Sequence, residues 1–190
     1  MRALCILATL FISTIVSAAE PDFQARALLH LQRGSFAAWG ALPDATAENR
    51  KVLGVGGLLL KHVDKKAGVV KWTEIMAGGF MDETWFEPVV NVRAFRSTPK
   101  ADTYVEVLQN FRIKRTVVVA SMLVPLAPHF AYGGDGELVL EDGKKPIGLI
   151  GPRANVPFSC VLEKCVLGMT VFANLTGGDN AARVYVLLNF

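Results

Sequence analysis

The second half of the chain alternates short apolar runs with turn residues, and this pattern limits the possible folds more than any other feature. β-branched runs such as TVVVAS at 116–121 favour strands. Asp142-Gly143 and the segment 132–136 (YGGDG) predict turns. Turn signals recur about every 8–12 residues, which is typical of sandwiches and barrels. We therefore predict a mainly β protein, an antiparallel sandwich or barrel-like single domain.

Two elements are predicted in the first half. The apolar run 52–63 (VLGVGGLLLKHV) and the run 69–75 (VVKWTEI) flank a polar turn at 64–68, a pattern that predicts a hairpin. Before them, Asp22 to Gln32 predicts a short N-terminal helix with Asp22 as its cap. Its apolar residues recur at helical spacing: Phe23, Ala27, Leu28 and Leu31.

The N-terminus is typical of a cleavable signal peptide. Arg2 is followed by an uncharged stretch from Ala3 to Val16, and Ser17-Ala18-Ala19 supplies small residues before a cut at Glu20. The apolar stretch is shorter than the roughly 20 residues of a spanning helix. We predict a signal peptide at 1–19 and one β-rich domain at 20–190, with a possible sub-boundary near 97–102. The mature chain is expected to be periplasmic or secreted.

Two cysteines remain after this cleavage, Cys160 and Cys165. An even number of cysteines in an oxidising compartment favours a disulfide. The loop would enclose four residues, so it would restrain a local turn more than it stabilises the whole fold. Without a CxxC spacing or a neighbouring histidine, a redox centre or a zinc site is disfavoured.

Charge and hydropathy disfavour several classes of partner. The whole chain has 20 basic and 17 acidic residues, and the charges are dispersed, so no nucleic-acid partner is expected. The longest uncharged stretch after the signal peptide, 116–131, contains Pro125 and Pro128 and is predicted to be a strand. No stretch approaches the length of a membrane span, so we expect a soluble mature chain with no stable membrane span after cleavage.

The chain does not match the residue spacing of known catalytic or cofactor-binding motifs. The three histidines, His30, His62 and His129, lie in no metal-ligand spacing, and no serine lies in a GxSxG or SxxK motif. Gly54, Gly56 and Gly57 match neither the dinucleotide nor the phosphate-loop pattern. We predict no cofactor, no metal and no enzymatic activity.

One acidic and aromatic cluster keeps an alternative open. Asp82, Glu83 and Glu87 surround Trp85, and paired carboxylates beside an aromatic ring can serve glycoside chemistry. The same residues can equally form the polar face of a loop, and we favour that interpretation. The alternative function is a small periplasmic ligand-binding protein or hydrolase. It requires these carboxylates to converge in a cleft with His62 or His129.

Successive side chains of a strand point to opposite faces, and this places two acidic residues of the second half on one face. Glu137 and Glu141 are four residues apart and therefore lie on the same face, which we expect to be the solvated one.

The order of motifs from about Val117 onward is similar to a known family. It runs through MLVPL at 122–126, GELVLEDGKKP at 136–146, VPFSC at 156–160, Cys165 and a closing run ARVYV at 182–186. This series resembles the invasion-associated locus B family of bacterial secreted proteins. The chain departs from that family where Ala127-Pro128 replaces the usual glycine, where Lys164 precedes the second cysteine, and in lacking cysteines in residues 20–116.

The resemblance implies a periplasmic or secreted β-rich protein associated with host-cell invasion, and it transfers no catalytic residue. Our sequence-based hypothesis is an exported, non-enzymatic envelope protein that acts through contacts with an envelope or host-surface protein. Asp82, Glu83, Trp85 and Glu87 are its candidate contact surface.

Overall fold

Eleven strands form the whole of the described fold. The computed structural model describes residues 22–42, 51–81, 85–158 and 164–189. The strands are β1 (Asp22–Arg33), β2 (Phe36–Leu42), β3 (Val52–Asp64), β4 (Val69–Met81), β5 (Phe86–Ser97), β6 (Asp102–Asn110), β7 (Arg115–Ala127), β8 (Phe130–Glu141), β9 (Ile147–Phe158), β10 (Lys164–Asn174) and β11 (Ala181–Asn189). None of the described residues belongs to a helix long and apolar enough to cross a membrane.

The strands close into a barrel in sequence order. Each strand from β1 to β10 pairs antiparallel with the next one, and β1 closes the ring by pairing in parallel with β11. This parallel pair follows from the odd strand number. Because consecutive antiparallel strands reverse direction each time, the first and the eleventh strand run the same way.

The predicted β class is confirmed, in its barrel form. The hairpin of β3 and β4 pairs from Val52↔Met81 to Asp64↔Val69, as the first-half pattern predicts. The 116–121 run lies inside β7, and Asp142-Gly143 lies in the connection between β8 and β9. These two signals predict the structure correctly because they need only local information.

The predicted N-terminal helix is wrong, because residues 22–33 form β1. A helical spacing of apolar residues exists there, but a spacing of two fits nearly as well. The even-numbered positions from 24 to 32 are polar except for Leu28, and the odd-numbered positions from 23 to 31 are all apolar. Pairing with both β2 and β11 satisfies the backbone of this segment on its two edges. Tertiary pairing therefore decides between the two periods.

The turn predicted at 132–136 is also wrong, because these residues lie in the middle of β8. Gly133 serves close strand packing instead of chain reversal. A Cβ at Gly133 would lie 1.8 Å from the backbone oxygen of Met122 on β7. The chain reverses before and after β8 instead, at 128–129 and 142–146.

Residues 98–101 form the short turn that joins β5 to β6 at the possible sub-boundary. The hydroxyl of Thr98 donates to the backbone oxygen of Ala101 and accepts from the backbone N–H of Ala101. The proposed signal peptide lies outside the described residues.

An apolar cluster fills part of the interior between β2 and β6. It contains Ala37, Trp39, Ala41, Leu53, Val55, Leu59, Met76, Val89 and Leu108. A smaller cluster of Leu149, Phe172 and Ala181 lies on the wall formed by β9–β11. Polar side chains share the interior with both clusters, and they form the candidate site below.

Candidate functional site

The structure separates the residues of the predicted acidic and aromatic surface. Asp82 and Glu83 lie outside the described residues. Trp85 is exposed, and the Arg112 guanidinium lies 4.1 Å from its ring centroid. Glu87 is buried inside the barrel. The two described members of the set therefore face different environments.

Glu87 is already engaged by its neighbours. Its carboxylate accepts a 2.8 Å hydrogen bond from the side-chain amide of Asn110 and forms a salt bridge with Lys51. It lies at the start of β5, while His62 lies near the end of β3, at the opposite end of the barrel. His129 lies in the turn after β7, at the same end as His62, so Glu87 converges with neither of the histidines that the hydrolase alternative requires.

The cysteine corner is described on one side. Cys165 is buried near the start of β10 and pairs in register with Phe158 of β9. Cys160 lies outside the described residues, so the Cys160–Cys165 disulfide stays a prediction.

Glu74 is the centre of a buried polar cluster inside the barrel. Its side chain is 0% exposed, and one carboxylate oxygen lies 2.9 Å from His30 Nε2. The other carboxylate oxygen accepts a 2.9 Å hydrogen bond from Trp39 Nε1. The guanidinium of Arg93 lies 3.9 Å from the Trp39 ring centroid and 3.9 Å from Glu74. This Glu74 cluster joins β1, β2, β4 and β5.

Glu106 extends the cluster to β6. It accepts hydrogen bonds from Asn91 Nδ2 at 2.6 Å and from Arg93 Nε at 3.2 Å. Its second oxygen accepts a 2.6 Å hydrogen bond from the Tyr104 hydroxyl. Buried charges require such partners, because an unpaired charge in a medium of low polarity is costly.

A second polar cluster lies on the other wall. Arg153 of β9 contacts Asp135 at 3.3 Å and donates to the Tyr185 hydroxyl from Nε at 3.0 Å. Arg183 of β11 forms a two-bond pair with Glu137 of β8, which lies three strands away. The interior therefore holds interlocked ion pairs from many strands.

No local pattern in the sequence indicates these two clusters, because their members are far apart in the chain. His30 and Glu74 are 44 residues apart, and Glu137 and Arg183 are 46 residues apart. The available signal is a polar residue at every second position of an otherwise apolar strand, as in β1. The same signal puts Glu137 and Glu141 on one face, but the expectation that this face is solvated is wrong, because Glu137 lies inside the barrel and pairs with Arg183.

The outward face of the barrel is apolar. Strands β1 to β10 each expose at least one large apolar side chain. Examples in strand order are Leu31, Phe36, Leu58, Ile75, Val92, Val105, Met122, Leu138, Ile150 and Leu167. On β11 the outward positions are Ala182, Val184, Val186 and Leu188. We call this surface the apolar belt.

Charges on the outward face occur at one end of the barrel only, within the described strands. They are Arg33, Asp64, Lys71 and Arg96, all close to the turns 34–35, 65–68 and 98–101. The outward positions of β6 to β11 are uncharged in the described ranges. The buried ion pairs thus lie inside, beside the two apolar clusters, while the outward face is almost entirely apolar. A water-soluble domain usually carries its charges on the outside.

No protein-family model, curated protein or solved structure matches this chain. The resemblance to the invasion-associated locus B family therefore stays a prediction that rests on the motifs of residues 117–190.

Proposed function

We propose that this chain is an exported, non-enzymatic envelope protein whose barrel is embedded in a lipid bilayer. The observation that carries the proposal is the distribution of charged and apolar side chains between the inner and outer faces of the strands. Charged side chains at the middle of the strands point inward and pair with one another, while the apolar belt faces out on every strand. Barrels that span membranes alternate apolar and polar residues in this sense.

Physical chemistry favours a hydrocarbon environment for the apolar belt. Exposed apolar surface costs about 25 cal/mol per Å² in water, and monomeric soluble proteins rarely expose contiguous apolar patches above a few hundred Å². The closed ring of strands also leaves no unpaired sheet edge, which a bilayer requires because it offers no hydrogen bonds to the backbone.

Strand length is consistent with this environment. Ten of the eleven strands have 9–13 residues, and β2 has seven. A tilted strand needs about 9–11 residues to cross the hydrocarbon core, against about 20 for a helix. The expectation of no membrane span relied on helical length, a criterion that does not apply to strands.

The other parts of the proposal come from the sequence. The N-terminal pattern supports export, and the family resemblance implies a periplasmic or secreted bacterial protein. The bilayer that such a protein can reach after export is the outer membrane. A barrel held there would act through the loops at its ends, in contacts with an envelope or host-surface protein. The Cys160–Cys165 bridge would restrain one of these loops.

An arginine scan of exposed positions tests the proposal. Ile75 lies at the middle of β4 on the apolar belt, and Leu175 lies in the turn after β10; they are 49% and 68% exposed. In a bilayer, Ile75→Arg should destabilise the inserted barrel by about 2–4 kcal/mol, and Leu175→Arg by about 1 kcal/mol or less. In a water-soluble protein, both substitutions should be tolerated because both sites are exposed.

The measurements are membrane fractionation after a urea wash, and urea unfolding of the barrel in phosphatidylcholine vesicles. Wild type and Leu175→Arg should stay with the membrane, and Ile75→Arg should be depleted from it. A wild-type chain that stays in the aqueous fraction would refute the proposal, as would equal behaviour of the two arginine variants. N-terminal sequencing of the exported protein tests cleavage before Glu20.

A further inference from the structure

We propose that a row of side chains at one edge of the apolar belt binds the phosphate of an anionic lipid headgroup. The row consists of His62, Lys71, Arg96 and Thr103, and we call it the Lys71–Arg96 row. The inference rests on the proposed membrane location and adds the class of lipid that the barrel selects.

Strand register brings these four residues side by side. His62 pairs with Lys71 between β3 and β4, Lys71 with Arg96 between β4 and β5, and Arg96 with Thr103 between β5 and β6. Directly opposed residues have their Cβ atoms about 4.5–5.5 Å apart. All four are outward-facing positions, so their polar groups meet on the outer surface.

Two cations placed directly opposite each other repel, and the chain does not compensate for this. In the described ranges, neither Lys71 nor Arg96 forms a salt bridge with a carboxylate. The outward-facing Asp64 accepts hydrogen bonds from the backbone N–H groups of Lys66 and Ala67 in its own turn. Like charges opposed across a strand pair destabilise a sheet. An external anion bound between them would relieve that repulsion.

A shallow hollow is present at the same place. It has a volume of about 260 Å³, and Lys71, Thr73, Arg96 and Thr103 contribute to its lining. On the inner side of the wall behind it, Trp72 stacks on Phe95 with ring centroids 5.3 Å apart. Two cations with room between them suit a phosphate, which accepts charge-assisted hydrogen bonds from both.

The position of the row favours a lipid phosphate over a free one. The next outward-facing residues toward the middle of the barrel are Leu60, Thr73, Ala94 and Val105, which pair with one another in the same order. A headgroup at the row would thus place its acyl chains on the apolar belt. Cations at this depth meet the anionic surface of a membrane.

The opposite end of the barrel provides a matched contrast. There, Lys114 pairs with Asp142 at 3.1 Å and Lys144 pairs with Glu141 at 2.6 Å. These cations already pair with carboxylates of the same chain and are therefore less available to a phosphate from outside. A double variant at that end removes the same charge without touching the row.

The test compares lipid selectivity of three proteins. Wild type, Lys71→Gln/Arg96→Gln and Lys114→Gln/Lys144→Gln are reconstituted in phosphatidylcholine vesicles with or without phosphatidylglycerol. Brominated phosphatidylglycerol then reports headgroup contact by quenching of tryptophan fluorescence. At about 1 kcal/mol per cation near the surface, the row variant should lose about 25-fold in relative affinity for phosphatidylglycerol. The control variant should keep the wild-type preference.

Three outcomes overturn the inference. They are a wild type without preference for phosphatidylglycerol, an equal loss in both double variants, and displacement of the lipid by inorganic phosphate at comparable concentration. Flotation of the wild type with pure phosphatidylcholine vesicles separates the two proposals. A barrel that floats but shows no preference contradicts only the lipid site, and a barrel that does not float contradicts both proposals.

Discussion

Glu74 and Ile75 are neighbours in β4, yet they lie in opposite environments. Glu74 is 0% exposed inside the barrel, within hydrogen-bond distance of His30 and Trp39, while the apolar Ile75 is 49% exposed on the outside. The same contrast holds between the two polar clusters and the apolar belt. The interior of this barrel therefore depends on specific polar contacts beside its apolar clusters, whereas its exterior depends on the surrounding medium.

The largest expected effect comes from removing the central acid of the interior. Glu74→Leu leaves His30, Trp39 and Arg93 without their shared carboxylate, and removing one member of a buried charge pair costs about 3–5 kcal/mol. We expect that loss in the free energy of unfolding, measured by urea titration of the reconstituted barrel. Glu74→Gln, which keeps an acceptor, should lose less.

Ile75→Leu is the adjacent control. It should leave the free energy of unfolding nearly unchanged, because Ile75 is exposed on the outer face and leucine is equally apolar. If Glu74→Leu proves no more destabilising than Ile75→Leu, the inside and the outside of the wall are not energetically different at this point.

A smaller effect is expected from a methyl group added inside. A Cβ at Gly168 would lie 1.9 Å from the Tyr185 ring, whereas a Cβ at Gly134 has its nearest neighbour at 4.0 Å. Gly168→Ala must therefore displace Tyr185 from Arg153, and such overpacking costs about 1–3 kcal/mol.

Gly134→Ala is the matched change on the outward face, and it should stay close to wild type. Thermal unfolding in detergent measures both variants, and near-ultraviolet circular dichroism follows the environment of Tyr185. Equal melting temperatures for the two alanine variants would argue against a tightly packed interior at β10.

The smallest effect is expected at the loops, where both partners are in water. The exposed pair of Lys114 and Asp142 joins the β6–β7 turn to the β8–β9 turn. Asp142→Asn should change the unfolding free energy by less than about 1 kcal/mol, and the change should shrink further in high salt. A loss as large as that of Glu74→Leu would mean that the loops, not the interior, hold the barrel closed.

Local features of the fold were predictable because hairpins depend on neighbouring residues. The β3–β4 hairpin and the β8–β9 reversal at Asp142-Gly143 follow directly from apolar runs around turn residues. The segment 22–32 was not predictable in this way, because its spacing fits two periods and its pairing partner β11 lies at the other end of the chain. The 132–136 segment misled because glycine serves both turns and close strand packing.

The candidate sites were predictable to a smaller extent. Glu87 was singled out for a surface, and it lies inside the barrel with Asn110. The Glu74 cluster and the Lys71–Arg96 row are built from residues on separate strands, so their assembly needs the register of the whole sheet.

By itself, the sequence determined the β class, the main hairpins and which side chains share a face, as with Glu137 and Glu141. The tertiary structure alone decided which of the two faces lies inside. The physical reason is that a repeat of two residues is unchanged when the two faces are exchanged. Closure of β1 onto β11 removes that symmetry: Glu137 then lies inside with Arg183, while Ile75 and Leu138 lie outside.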